Sequence, residues 1–120
     1  MATTAKTVLV VDDERAIRKF VRSVLLRQGY QVMEAEDGLA AYELVQRHSR
    51  DIQLLVTDIV MPGMNGIALA ANVRSEYPDV EVLYISGFVS DLLDDIPIEH
   101  FLPKPFASAD LVQCVQRLCA

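Results

Sequence analysis

At 120 residues, 52% of them hydrophobic, the chain is one domain long and apolar enough for a single core without disulfide or metal staples. A net charge of −6 and only short basic clusters exclude the phosphate-neutralising surface that nucleic-acid binding requires. No apolar run approaches the roughly 18 residues of a membrane span, and residues 1–7 lack the apolar stretch of a secretory signal, so a cytoplasmic protein is expected.

Residues 1–6 are expected to be a disordered tail and residues 7–120 one domain. Val8, Leu9, Val10 and Val11 form a compact apolar run, as in a strand buried on both faces. Ile17, Phe20, Val21, Val24 and Leu25 then recur with helical spacing along one face, and Gly29 supplies the stop. The pattern repeats: strand over 31–35, helix over 39–47, strand over 52–57, helix over 66–77 closed by Pro78. A fourth strand follows at 80–85, a short fifth at 100–102, and a last helix at 109–118 with Leu111, Val115 and Leu118 inward. Between residues 88 and 99, Asp91, Asp94, Asp95 and the break at Pro97 leave room for a short or irregular helix at most. Such alternation predicts an α/β fold, a doubly wound parallel sheet with helices on both faces. Cys114 and Cys119 match no zinc or redox spacing and read as small buried or half-buried residues of a reducing cytosol.

In open α/β sheets, ligands bind beyond the carboxyl ends of the strands. This chain places Asp12, Asp13 and Glu14 after the first strand, Asp58 after the third, Ser86 after the fourth and Lys104 after the fifth. Singly, each has a plainer reading: acids that favour a helix N-terminus, turn residues, a solvated loop lysine. Together, at the ends of four separate strands, they define a site. Two carboxylates about 4 Å apart repel by roughly 4 kcal/mol at an effective dielectric near 20. Three in one cleft therefore require a raised pKa or a cation. Hard oxygen ligands with room for water suit Mg²⁺, with Mn²⁺ as the alternative. A carboxylate is also a competent nucleophile for phosphorus, and a metal and a lysine would neutralise charge on the transferring group.

The runs Val10-Val11-Asp12-Asp13-Glu14, Thr57-Asp58-Ile59-Val60-Met61-Pro62-Gly63-Met64-Asn65-Gly66, Ser86-Gly87 and Lys104-Pro105-Phe106 resemble response-regulator receiver domains. The resemblance covers nearly the whole chain. It implies a flavodoxin-like five-stranded sheet of order 2-1-3-4-5, and it assigns roles. Asp58 would be the phosphoacceptor and Asp13 a direct Mg²⁺ ligand. Asp12 would act through water or by positioning, and the Val60 backbone carbonyl would be a further ligand. Lys104 would pair with phosphoryl oxygens, aimed by a cis bond to Pro105. Ser86 would hydrogen-bond the phosphoryl group, and Phe101 would occupy the switch-aromatic position, moving inward as Ser86 moves. Phe101 as ordinary core remains the alternative. Phosphorylation would bias a pre-existing two-state equilibrium.

The span from Ser86 to Lys104 is shorter than in many receivers, and Tyr84-Ile85-Ser86-Gly87-Phe88 is similar to receivers with a reduced fourth helix. Apolar Val60 and bulky Phe88 are expected to hinder the attacking water and lengthen the phosphoryl lifetime. The phosphodonor would be a histidine kinase or histidine phosphotransfer protein, docking beside Arg15, Arg18 and Arg22 on the first helix; a solvated helix face is the alternative. His48 and His100 lie in positions unsuited to a phosphohistidine. The resemblance to receivers of hybrid kinases favours an excised receiver slightly over a stand-alone relay protein. The chain would catalyse only its own phosphorylation and dephosphorylation. An aspartyl phosphatase would carry Asp-x-Asp where Asp58 is followed by Ile59 and Val60, and a flavodoxin-like cofactor binder would need a Ser/Thr/Gly-rich loop where this one is acidic. A receiver acting as a phosphorylation-independent interaction module stays open as the alternative.

Overall fold

The computed structural model describes residues 6–87 and 96–120. Strands β1 (Thr7–Val11), β2 (Gln31–Ala35), β3 (Ile52–Asp58), β4 (Glu81–Ser86) and β5 (Phe101–Pro103) alternate with helices α1 (Arg15–Arg27), α2 (Gly38–His48), α3 (Gly66–Glu76) and α4 (Ser108–Leu118). All strand pairs are parallel, in the order β2-β1-β3-β4-β5 that the resemblance implies. Of the irregular helix expected over 88–99, residues 88–95 lie outside the described residues, as do the site role of Phe88 and tail residues 1–5, while Ile98 and Glu99 are described in a short 3₁₀ turn. Of the expected tail, Lys6 is described: its carbonyl accepts from Gln31 N–H at 2.9 Å and its ammonium donates to the Cys119 carbonyl.

The apolar run of β1 is fully buried because both sheet faces are covered. Leu9 and Val11 face the layer of α2 and α3, where Ala41, Val45, Leu69, Ala70 and Val73 close the core. Val8 and Val10 face α1 and α4, against Val21, Leu25, Leu111 and Val115. Each large apolar side chain so buried contributes about 1.5–3 kcal/mol. Gln53 is the one irregularity in the β1–β3 ladder: Thr7 pairs with Ile52 but Val8 with Leu54, so Gln53 is passed over and left exposed.

Gly29 ends α1 at φ +90°, a backbone that side chains with a Cβ adopt only under strain. Two sequence expectations shift. Strand β5 starts at Phe101 rather than His100, which closes a short 3₁₀ turn (Ile98–His100), because the ladder to β4 begins at the Tyr84–Phe101 pair. Phe20, placed on the inward stripe of α1, is 41% exposed and instead meets the Phe106 ring at 6.1 Å in a tilted pair. Cys119 is buried and Cys114 half-buried, both as free thiols.

Candidate functional site

Four strands end at one edge of the sheet, and each delivers a polar side chain there. Beyond β1, the Asp12 N–H still donates to the Ala35 carbonyl of β2, at 3.3 Å. The side chain of Asp12 is therefore held at the sheet edge, and it is fully buried. Its Oδ1 accepts the Glu14 N–H at 2.9 Å, folding the chain tightly into α1. Asp58 is the last residue of β3 and only 5% exposed. The turn behind it is fixed by Ile59 N–H to Ile85 O at 3.1 Å and Gly66 N–H to Ile59 O at 2.8 Å. A Cβ at Gly66 would collide with the Asp58 carbonyl, so only glycine lets α3 start this close to the strand end. Asn65 caps that helix by accepting the Ala68 N–H at 2.8 Å.

Ser86 ends β4, buried, and its carbonyl accepts the Lys104 N–H at 2.8 Å. The Lys104–Pro105 bond is cis. Lys104 reaches back across the edge: its Nζ lies 2.8 Å from Asp12 Oδ2, 3.2 Å from Asp58 Oδ2 and 3.8 Å from Glu14 Oε1. Burial raises the Asp58 carboxyl above its ordinary range, and neighbouring Asp12 adds to this; the Lys104 charge and the Val60 N–H bond offset part of it. Burial alone would lower the Lys104 ammonium, but its bonds to Asp12 and the charges of Asp12 and Asp58 outweigh burial and raise it.

Ligand oxygens of Asp12, Glu14 and Asp58 lie within 4.8 Å of one another. Three hard oxygen donors at that spacing, two of them buried, fit a divalent ion of the Mg²⁺ type that binds through carboxylates and water. Glu14, which the sequence places at this edge as the third acid after β1 but to which the resemblance assigns no ligand role, joins this group. Asp13 does not join it: the residue is exposed and lines a shallow cleft with Glu36 and Asp37. Val60 is 50% exposed beside Asp58. Phe101 is half-buried against the α2–α3 side of the core.

The basic stripe expected on α1 divides. Arg15 and Arg22 are exposed, but Arg18 turns inward, its Nη1 donating to the Asp12 carbonyl at 2.7 Å. Glu34 on β2 collects Arg18 at 3.5 Å, Lys19 at 2.9 Å and Arg22 at 3.6 Å. His48 sits 4.0 Å from Asp51, and His100 Nδ1 lies 2.7 Å from the Val82 carbonyl, both local contacts.

A buried carboxylate held against a lysine at the carboxyl edge of a doubly wound sheet, among further acids, is the arrangement that a protein accepting a phosphoryl group on aspartate would need. Comparison with known proteins gives the family. The family model described as "Response regulator receiver domain" matches residues 8–116, and the chain belongs to that family. It is a phosphoacceptor receiver of two-component signalling.

Response regulator receiver protein CpdR of Brucella abortus is 36% identical over 117 residues, covering 94% of this chain and 96% of CpdR. Sensor kinase CckA of the same organism is 34% identical over 116 residues, covering 93% of this chain. This chain spans only 12% of that kinase. Among solved structures, a CheY of Borrelia burgdorferi in complex with CheX, BeF3 and Mg²⁺ superimposes with a TM-score of 0.88 at 28% identity, covering 96% of this chain and 90% of that one. No helix among the described residues is long and apolar enough to cross a membrane.

Proposed function

We propose that Asp58 is the phosphoacceptor and that it takes the group from a phosphohistidine on a histidine kinase or histidine phosphotransfer protein in the cytoplasm. The observation that carries this is the pairing of buried Asp58 with Lys104 at 3.2 Å, beside Asp12 and Glu14. A carboxylate oxygen of Asp58 attacks phosphorus; the O–P bond forms as the P–N bond to the imidazole breaks, and the nitrogen keeps the electron pair. Mg²⁺ would be held among the carboxylates of Asp12, Glu14 and Asp58, with Asp13 and the Val60 carbonyl as the further ligands that the receiver resemblance implies, and would neutralise phosphoryl charge. The Mg²⁺ in the Borrelia burgdorferi complex supports that choice. Lys104 holds the remaining phosphoryl oxygens, a role its raised pKa suits because it stays cationic throughout the physiological range.

Ser86, buried and paired in the ladder with Pro103, the residue before Lys104, hydrogen-bonds the new group and draws its loop inward, and Phe101 follows. Phosphorylation thereby shifts a two-state equilibrium by its differential contacts with the two states. The chain's catalysis is confined to forming and hydrolysing its own phosphoaspartate.

Incubation with Mg²⁺ and a small-molecule phosphodonor, followed by intact mass, tests the assignment. One phosphoryl on wild type and none on Asp58→Asn is expected. No addition to wild type while Mg²⁺ binds would overturn it and favour an interaction module that works without phosphorylation.

A further inference from the structure

The guanidinium of Arg18 is 12% exposed although the residue lies on a helix face that sequence alone reads as a partner surface. Two groups hold it there. Its Nη1 donates to the backbone carbonyl of Asp12 at 2.7 Å, a short charge-assisted bond. Its Nε faces Glu34 Oε1 at 3.5 Å, and that oxygen is buried with no hydrogen bond. The backbone of Arg18 donates to the Glu14 carbonyl at 3.1 Å, so its helical turn is seated directly on the bend that carries the acids.

The side chain of Asp12 has its own fixed contacts, to Glu14 N–H and to Lys104 Nζ. Residue 12 is therefore constrained through its carboxylate, by Glu14 N–H and the lysine, and through its main chain, by Ala35 and Arg18. When a cation enters, Asp12 must exchange its Lys104 partner without losing its place. The Arg18 bond persists through that exchange because it engages the carbonyl and not the carboxylate, and at 2.7 Å it is shorter than the other main-chain tie, Asp12 N–H to Ala35 O at 3.3 Å.

We propose that Arg18, oriented by Glu34, is a positioning residue for the divalent-cation site, bracing the main chain of Asp12 from the outer edge strand. The inference rests on the phosphoacceptor reading of the site. Its electrostatic alternative has the opposite sign. Arg18 is a cation close to the acids, so if it acted only by charge its removal would strengthen Mg²⁺ binding. A positioning role requires the reverse, since outer-shell partners of metal ligands typically sustain about 10–100-fold in affinity.

The test is Mg²⁺ titration calorimetry on the unphosphorylated chain. Arg18→Met is expected to weaken Mg²⁺ binding about tenfold. Arg18→Lys keeps the charge but loses the two-armed reach and is expected to weaken it as well. Lys19→Met removes the same charge from the same Glu34 without touching Asp12, and is expected to keep the wild-type constant. Mg²⁺ affinity in Arg18→Met equal to or above wild type overturns the proposal, whatever happens to its melting temperature. If Arg18→Met does not fold, Arg18→Lys and Glu34→Gln decide: weaker binding supports it and unchanged binding overturns it. Wild type that takes no Mg²⁺ overturns the phosphoacceptor reading and this inference together.

Discussion

Lys104 Nζ and Asp12 Oδ2, 92 residues apart in sequence, lie 2.8 Å apart at the carboxyl edge of the sheet. The lysine is 13% exposed and the carboxylate fully buried, so the pair is shielded from screening by solvent. Replacing Lys104 by Met strands two buried carboxylates. A loss on the order of 2–3 kcal/mol in metal-free unfolding is expected, with more stability regained on adding Mg²⁺ than in wild type. Urea unfolding with and without Mg²⁺ checks both. An undiminished metal-free stability would show that the lysine does not neutralise the acids.

Asp58→Asn should act in the opposite direction. Folding raises the Asp58 pKa, so the native state holds this proton more tightly than the unfolded chain. The group therefore costs no stability below the ordinary carboxylate range and costs progressively more as pH rises through its folded value. The amide is expected to stabilise the metal-free protein at neutral pH, with the gain shrinking toward about pH 4. A gain that is flat or grows with acidity would contradict this linkage.

Asp13→Ala separates charge repulsion from metal ligation. Asp13 shares its cleft with Glu36 and Asp37, so its removal should raise the metal-free melting temperature slightly, and less at high salt. Mg²⁺ binding should weaken in the same variant. Equal or lower metal-free stability would mean that these acids do not repel one another appreciably.

At Gly66 the constraint is steric. Gly66→Ala drives a methyl group into the Asp58 carbonyl and is expected to cost about 1–3 kcal/mol, measured by denaturant midpoint. The same variant should also take up phosphoryl more slowly if Asp58 is the phosphoacceptor proposed above, because the backbone that yields carries Asp58.

Val60 lies half in solvent next to Asp58, where an apolar side chain offers an incoming water no hydrogen bond. Val60→Asn should shorten the phosphoaspartate half-life, read from the decay of the phosphorylated mass. An unchanged half-life would remove Val60 from any part in guarding the phosphoryl group.

Much of this was legible in the sequence. Fully buried strands announce themselves as unbroken apolar runs, as at Val8 to Val11, and residues just beyond such runs must gather at one edge. Asp12, Asp58, Ser86 and Lys104 were located by that argument alone. Side-chain direction was not legible. Asp13 and Glu14 are neighbours of the same charge, yet the bend after Asp12 turns Glu14 toward Lys104 and leaves Asp13 outside. Arg18 and Arg22 share a helix face with Arg15, and the Asp12 carbonyl together with Glu34 on a neighbouring strand draws Arg18 inward. Phe20 has core spacing but lies where α1 meets Phe106 rather than the sheet.

The parallel ladder that pairs Val11 with Thr57 and Asp58 with Ile85 also acts as a ruler. Sliding β3 by one residue would move Asp58 about 3.3 Å and turn it to the opposite face of the sheet. No such slip can occur without exposing the most deeply buried side chains of the molecule. The placement of Asp58 beside Lys104 is thus as durable as the fold itself.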